Sequence, residues 1–361
     1  MNPARVCCLL ALTLLTPLSA LAQFQNFELV KVAEGVYAAL RTEPPGLTVD
    51  ANCVFIINDE DVFVVDTSLT PGGAKEMLAA LRKLTNKPVK YVINTHWHDD
   101  HIIGNQVYRD AYPGVEFIAH AKTREYLPTT GLNNRKLALS AQGYPGFIAF
   151  LRGRLEKNQS VAGGPLDEEE RAVYASNIQI AERYMAEVPG AQIVLPTITV
   201  EDRLTLHRGG DRIIDILHLG RGHTSGDLVV HLPREGVVIA GDLVIWPVPY
   251  VGNPQSHPGE WGATLDKLLA LRPTLIIPGH GPILRDDAYV RLMARLFASI
   301  KQQVESVVAR GETLEQARKS VNLEEFQRLF AGDSRVRKEI FANYVAGAGV
   351  AAAYHDAATK K

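Results

Sequence analysis

The chain lacks an excess of charge of either sign, and this absence limits what it can bind. Its 361 residues include 38 lysines and arginines and 40 aspartates and glutamates, for a formal net charge of −2 at pH 7. Binding to a nucleic-acid backbone depends on a visible excess of basic side chains. We therefore expect no nucleic-acid partner and a small-molecule substrate.

Cysteines are also few, which excludes a small fold stabilised by disulfides. Only three are present, and Cys7 and Cys8 belong to the N-terminal apolar segment, so Cys53 has no partner for an intrachain disulfide. Hydrophobic residues make up 46% of the chain. A buried core can therefore stabilise one large domain or two small ones.

No apolar run near the N-terminus is long enough to cross a membrane. Arg5 precedes a short apolar run over residues 6–15, well below the roughly 20 residues that a spanning helix needs. Ala20-Leu21-Ala22 then forms a small-x-small cleavage site. We predict a cleaved signal peptide over residues 1–22, a periplasmic or secreted protein, and no stable membrane anchor. These patterns predict no particular oligomeric state.

The rest of the chain alternates between predicted strands and helices. Apolar runs over residues 53–57 and 62–65 are typical of buried strands. Residues 121 to about 190 and residues 286–361 are predicted to be mostly helical. We predict a main domain over residues 23–285 that includes the first helical region as an insertion, with the second region packed on it as a C-terminal extension.

Four side chains that bind metals fall within six residues, after a strand predicted over residues 89–94. They are His96, His98, Asp100 and His101. Solvated histidines do not usually cluster in this way. In a loop, His96 and His98 can point to one side while Asp100 and His101 point to a neighbouring location. This arrangement suits two adjacent cations better than one.

Three further candidates, His223, Asp242 and His280, follow at the ends of later apolar runs. Imidazole and carboxylate ligands fit zinc, and catalytic zinc sites leave a position open for water. A closed structural site usually has four cysteines or histidines, so a purely structural metal site is an alternative that this mixed ligand set does not favour.

These motifs together resemble the metallo-β-lactamase superfamily, whose His-x-His-x-Asp-His signature is intact at residues 96–101. The resemblance runs from about residue 27 to residue 284. It implies an α/β fold of four layers, the αβ/βα sandwich, in which two mixed sheets face each other and helices cover the outside. The metals would lie at one rim between the sheets.

The resemblance also implies a role for each ligand. Two Zn²⁺ ions per chain are expected, with three ligands specific to each ion and one aspartate between them. The ligands of the first ion would be His96, His98 and His223, those of the second Asp100, His101 and His280, and the bridging residue Asp242.

What the resemblance implies for function is an exported, zinc-dependent hydrolase. The positive charge of two zinc ions exceeds the negative charge of two carboxylates and a hydroxide, so the site would stabilise negative charge that develops on a carbonyl oxygen. The bound water would ionise at a pH of about 7, and Asp100 would orient it and accept its proton. The expected substrate is an amide or an ester, such as a β-lactam or a lactone.

Two alternatives remain within the superfamily. Asp242 stands where some lactamases have a cysteine ligand, which favours lactonases or thioester hydrolases similar to glyoxalase II. An iron-dependent enzyme similar to persulfide dioxygenases is the other alternative, although those enzymes use one metal and this chain has ligands for two.

Residues around these ligands carry weaker predictions. Asp66 matches an acidic residue that supports the metal site in this family, but an aspartate that caps a turn is an equal interpretation. His218 and Arg221 share a loop with His223 and are candidates for substrate contact, Arg221 for a substrate carboxylate. Trp246 could line the mouth of the site. The helical insertion is predicted to lie over the metals and to set substrate size.

Overall fold

Two β-sheets face each other between outer layers of helices. The computed structural model of the chain describes residues 26–47, 49–252 and 256–359. The predicted signal peptide, residues 1–22, lies outside the described residues. Among the helices of the described residues, none is both long and apolar enough to cross a membrane.

The first sheet has seven strands, which lie side by side in the order of the chain. Neighbours are antiparallel from β1 to β4 and parallel from β4 to β7. The turn between β1 and β2 contains Gly35, whose φ of 68° favours glycine. The strands are β1 (Phe27–Ala33), β2 (Val36–Arg41), β3 (Cys53–Ile57), β4 (Val62–Val65), β5 (Val89–Ile93), β6 (Glu116–His120) and β7 (Ile198–Val200).

The second sheet has five strands in the order β12, β11, β10, β9, β8. Neighbouring strands of this sheet are antiparallel, except β11 and β12, which are parallel. Each residue of β11 is buried. The strands are β8 (Arg203–Arg208), β9 (Arg212–Leu217), β10 (Val229–Leu232), β11 (Val237–Ile245) and β12 (Leu275–His280).

Alternating side chains of the strands form two different cores. In β3, Val54 and Ile56 point into the space between the sheets, where they meet Ile214 and Val230 of the second sheet. Phe55, between them in sequence, belongs to the core on the outer face of the first sheet. The two-residue period of a strand places successive side chains on opposite faces, so both faces of this sheet are buried.

Helices cover the outer face of each sheet. On the first sheet lie helices α1 (Pro71–Leu84) and α3 (Asn105–Ala111). Where α1 begins, the Thr70 hydroxyl accepts a hydrogen bond from the Gly73 amide. On the second sheet lie α8 (Pro258–Ala270) and α9 (Ala288–Ala309), whose Trp261 and Phe297 rings stack 4.4 Å apart. The predicted four-layer αβ/βα arrangement is confirmed.

The remaining helices belong to the two regions that the sequence predicted to be helical, apart from one short helix in the loop after β5. One face of α9 is apolar from Val290 to Val307, and its side chains are buried. The helices are α2 (Asp99–Ile102), then α4 (Ala121–Tyr126), α5 (Leu132–Leu139), α6 (Tyr144–Glu156) and α7 (Glu168–Glu187), and finally α10 (Leu314–Ser320), α11 (Glu324–Ala331), α12 (Arg335–Ile340) and α13 (Val350–Thr359).

Candidate metal centre

All seven predicted ligands meet at one rim of the two sheets. The loop after β5 and helix α2 carry four of them, and the loop between β9 and β10 carries His223. Asp242 lies within β11, and His280 is the last residue of β12. The ligand atoms form two groups, His96, His98, His223 and Asp242 in the first, and Asp100, His101 and His280 in the second, with the atoms of each group within 4.8 Å of one another.

The first group has the spacing of a tetrahedral metal site. His98 Nδ1 lies 2.9 Å from His96 Nε2 and 2.9 Å from His223 Nε2. Asp242 Oδ2 lies 3.4 Å from His223 Nε2 and 3.9 Å from His96 Nε2. Metal–ligand bonds of about 2.0 to 2.1 Å place neighbouring ligands of a tetrahedral ion about 3.4 Å apart. These atoms could therefore share one ion.

The second group includes the other oxygen of the same aspartate. Asp242 Oδ1 lies 3.3 Å from His101 Nε2 and 3.3 Å from His280 Nε2. Asp100 Oδ2 lies 3.3 Å and 3.2 Å from the same two nitrogens. Asp242 therefore directs one carboxylate oxygen to each group, which is the geometry of a bridging ligand.

Hydrogen bonds behind the histidines determine which nitrogen faces the centre. A carboxylate or carbonyl oxygen only accepts, so a histidine bonded to it through Nδ1 carries its proton there and keeps a lone pair on Nε2. Three ligands are held in this way. The pairs are His101 with Asp66 Oδ2 at 2.7 Å, His223 with the Tyr250 carbonyl at 2.9 Å, and His280 with the Asp50 carbonyl at 3.2 Å.

Two buried atoms of the centre have no hydrogen-bond partner among the described residues, and they test whether a metal fits. These atoms are His101 Nε2 and Asp242 Oδ1, 3.3 Å apart. Both are acceptors, so neither can satisfy the other, and an unsatisfied buried polar group costs about 1 to 3 kcal/mol. A cation between them removes this cost. The donor set therefore fits metal ions.

Burial and charge place His98 and Asp242 in the ionisation states that bind metals. Burial, together with His223, lowers the pKa of His98 to about 3. Burial opposes ionisation of Asp242, but the histidines around it hold the pKa of this carboxyl well below its usual value. Burial opposes a positive charge on His101, but the carboxylates of Asp100 and Asp66 favour it more strongly and raise the pKa of this imidazole well above its usual value. A metal ion would supply that charge.

Asp66 connects the first sheet to the centre. One of its oxygens accepts a hydrogen bond from the Thr95 amide at 2.8 Å, and the other accepts from the Thr95 hydroxyl at 2.8 Å and from His101 Nδ1. Its φ of 59° is uncommon for a residue with a side chain. Asp66 thus fixes the loop that carries four ligands and orients one of them, in agreement with the supporting role that the family resemblance implies.

A cavity of about 360 Å³ leads from the surface to the metal ligands. Its floor includes Asp100, His223 and Asp242. Its walls include Arg135, which makes a two-pronged ion pair with Asp99 at 2.7 Å and 3.1 Å, and other residues of the helical insertion. The predicted insertion therefore lies over the metal ligands.

Three candidates for substrate contact lie elsewhere. His218 Nδ1 donates to the Asp227 carbonyl at 2.9 Å, and Arg221 forms an ion pair with Glu260. Neither residue lines the cavity over the ligands. Trp246 lines a neighbouring cavity of about 330 Å³, which shares Tyr250 and His280 with the cavity over the ligands. The role of Arg221 as an anchor for a substrate carboxylate stays a prediction, and a substrate would compete with Glu260 for its guanidinium.

Sequence reasoning missed two residues that shape the site. The Asp50 carbonyl orients His280, which is 230 positions away in the chain. The ring of Tyr344, from the C-terminal extension, stacks on Tyr250 with centroids 4.7 Å apart and lines the cavity. Both contacts join distant parts of the chain, so no local pattern marks them.

The fold and the cluster of histidines and aspartates indicate a metal-binding protein, and comparison with known families agrees. The model of the metallo-beta-lactamase superfamily matches residues 47–280, well over half of the chain. The chain therefore belongs to this superfamily, whose members are generally hydrolytic enzymes.

Curated relatives match only part of their own length. The linear primary-alkylsulfatase of a Pseudomonas species is 27% identical over 227 residues, which is 62% of this chain and 40% of that protein. The hydroxyacylglutathione hydrolase of Gloeobacter violaceus is 39% identical over 80 residues, 21% of this chain and 30% of that protein. The chain thus spans less than half the length of either relative.

Solved structures show the same fold at low sequence identity. The DIM-1 metallo-beta-lactamase has a TM-score of 0.50 and 17% identity, and the match covers 75% of this chain and 97% of that one. A metallo-beta-lactamase from Pontibacter korlensis has a TM-score of 0.49 and 17% identity, over 74% of this chain and 99% of that one.

Proposed function

We propose that the protein is an exported hydrolase that uses two zinc ions to cleave an ester or amide carbonyl, as in a β-lactam or a lactone. The single observation that carries this proposal is Asp242, whose two oxygens face two groups of ligand atoms at 3.3 Å to 3.9 Å. When bound, the ions would supply a hydroxide nucleophile at neutral pH and polarise the carbonyl.

Asp100 is the residue that handles the proton in this proposal. Its Oδ2 lies beside His101 and His280, and its side chain also lines the cavity. One oxygen can therefore serve as a ligand while the other accepts the proton of the attacking water. Neighbouring histidines hold the pKa of this carboxyl well below its usual value although burial opposes them, so it is charged at neutral pH.

Sulfate esters are a second candidate substrate class, because the alkylsulfatase relative matches 62% of this chain. A thioester is a third, since the hydroxyacylglutathione hydrolase is 39% identical over its matched 80 residues. All three reactions use a nucleophile activated by metal at the same ligands. They differ in the group that the cavity must accept.

A substrate panel tests the proposal. Zinc-loaded protein is assayed with a β-lactam, a lactone, a carboxylic ester, a hydroxyacyl thioester and a primary alkyl sulfate, before and after chelation. We expect turnover of a carbonyl substrate, lost on chelation and restored by zinc. The variant Asp100→Asn should lose at least about 100-fold in kcat, and metal analysis of this variant separates loss of the base from loss of the ion.

Two results would change the assignment. Turnover of the alkyl sulfate alone would favour the sulfatase candidate. If zinc-loaded protein is inert on the whole panel, yet iron-loaded protein consumes oxygen with a persulfide, the redox alternative replaces the hydrolase. Export is tested separately, because the intact mass of exported protein should correspond to a chain that begins near Gln23.

A further inference from the structure

A second, larger cavity of about 740 Å³ adjoins the cavity over the metal ligands. We call the second cavity the apolar vestibule. Its walls come from the segment after β2, from helices α5 and α6 of the insertion, and from the C-terminal extension. Six residues line both spaces, namely Leu47, Asn134, Ala138, Tyr144, Gly252 and Tyr344.

The chemistry of the vestibule differs from that of the metal cavity. Its other lining residues include Leu137 and Phe147, and none of the described residues that line it is an aspartate, glutamate, lysine or arginine. Leu137 is 62% exposed and presents an apolar side chain to this space. A charged floor therefore continues into an uncharged, mainly apolar space.

The wall of the vestibule is fixed in place by hydrogen bonds between distant segments. The Tyr344 hydroxyl donates to the Leu47 carbonyl at 3.2 Å, and the Tyr250 hydroxyl donates to the Gly46 carbonyl at 2.8 Å. The two tyrosine rings stack on each other. Because both hydroxyl groups are occupied, the rings can offer apolar faces to a ligand. The space is formed before any ligand arrives.

We propose that the substrate carries an apolar chain, alkyl or acyl, which lies in the vestibule while the bond to be cleaved lies over the metal ligands. The two spaces share six lining residues, Tyr144 and Tyr344 among them, so one molecule can extend from the vestibule to the ligands. The position of the reacting bond depends on the proposed function, whereas the chain site depends only on the vestibule.

A binding series tests the chain site without turnover. Linear carboxylates from butanoate to dodecanoate are titrated calorimetrically into the zinc-loaded protein, below their micelle concentrations. Each added methylene should lower Kd about fourfold until the chain fills the vestibule. The variant Leu137→Asp introduces a charge at an exposed position, so it should fold, and we expect dodecanoate to bind at least tenfold more weakly.

A matched control comes from the C-terminal extension. Leu329 is also an exposed leucine, at 51%, and it does not line the vestibule. Leu329→Asp should leave the dependence of Kd on chain length unchanged. A Kd that does not vary with chain length, or equal losses in the two variants, would overturn the chain site.

The series also separates this inference from the proposed function. Chain-dependent binding together with no hydrolysis of any ester, amide or sulfate supports the chain site and contradicts the proposed function. Hydrolysis of short substrates, together with a Kd that does not vary with chain length, supports the proposed function and contradicts the chain site. The same carboxylates can be used as competitive inhibitors once a substrate is found, and their inhibition constants should follow the same slope.

Discussion

His257 Nδ1 lies 3.3 Å from Asp356 Oδ2, and this contact joins the C-terminal helix α13 to the start of α8. His257 Nε2 lies 2.8 Å from Ser225 Oγ, two residues after His223. The order of serine, histidine and aspartate resembles a catalytic triad. However, the amide after the serine, that of Gly226, donates to the Thr224 hydroxyl and cannot serve an oxyanion.

We therefore expect this trio to position the ligand loop. Asp356→Ala leaves His257 without its acceptor, so the melting temperature should fall by about 2 °C and zinc should dissociate faster from the protein. Ser225→Ala should keep its zinc and any hydrolytic activity. Asp333→Ala, at an exposed position, is the control for loss of a carboxylate. An inactive Ser225→Ala variant with full zinc content would instead support a nucleophilic serine.

Asp66 should determine the affinity of the second group for its ion. Asp66 now accepts a hydrogen bond from His101 Nδ1 at 2.7 Å. In Asp66→Asn, an amide NH₂ that faces this nitrogen would place one donor against another, and the hydrogen bond would be lost. Removal of such a partner typically weakens metal binding by about 10-fold to 100-fold. Competition with a chromophoric chelator measures this loss, and Asp110→Asn at the surface is the control. Unchanged affinity would mean that Asp66 serves only the turn.

Asp242→Ala should weaken metal binding by both groups of ligands, and the loss should be larger for the second group. The substitution removes the oxygen that faces His101 and His280 and the one that faces His223. Without its negative charge, two cations would face each other with less screening. Metal analysis after dialysis should give no more than one zinc ion per chain. A variant that keeps two ions and full activity would show that Asp242 is not a bridge.

Short-range patterns in the sequence predicted the strands and the first four ligands, whereas the four-layer sandwich was implied by the family resemblance. Alternating apolar runs define the strands, and six consecutive residues contain four of the ligands. The contacts of Asp50 with His280 and of Tyr344 with Tyr250 arise only when remote segments pack. The ion pair of Arg221 arises in the same way, since Glu260, its partner, is 39 positions away.

His120 gives the fold a dependence on pH that can be isolated from the metal centre. Its Nδ1 accepts a hydrogen bond from the Lys122 amide at 3.0 Å at the start of α4. Its ring lies 4.3 Å from that of His218, and Glu201 is 3.8 Å from its Nε2. Burial, followed by the neighbouring His218, lowers the pKa of His120 below its ordinary value of 6.5.

The sign of the effect follows from this direction. The unfolded chain binds the proton more readily than the folded one, so His120 stabilises the fold above a pH of about 6.5 and loses this contribution as the pH falls. Asparagine also caps helices but does not titrate. Between pH 8 and pH 5, the free energy of unfolding should therefore fall more for the natural protein than for His120→Asn, as measured by urea denaturation at each pH. Loss of metal at low pH affects both proteins and cancels in the difference. His207→Asn, at an exposed position, should follow the natural protein at every pH, and a His120→Asn curve parallel to both would exclude His120 as the titrating group.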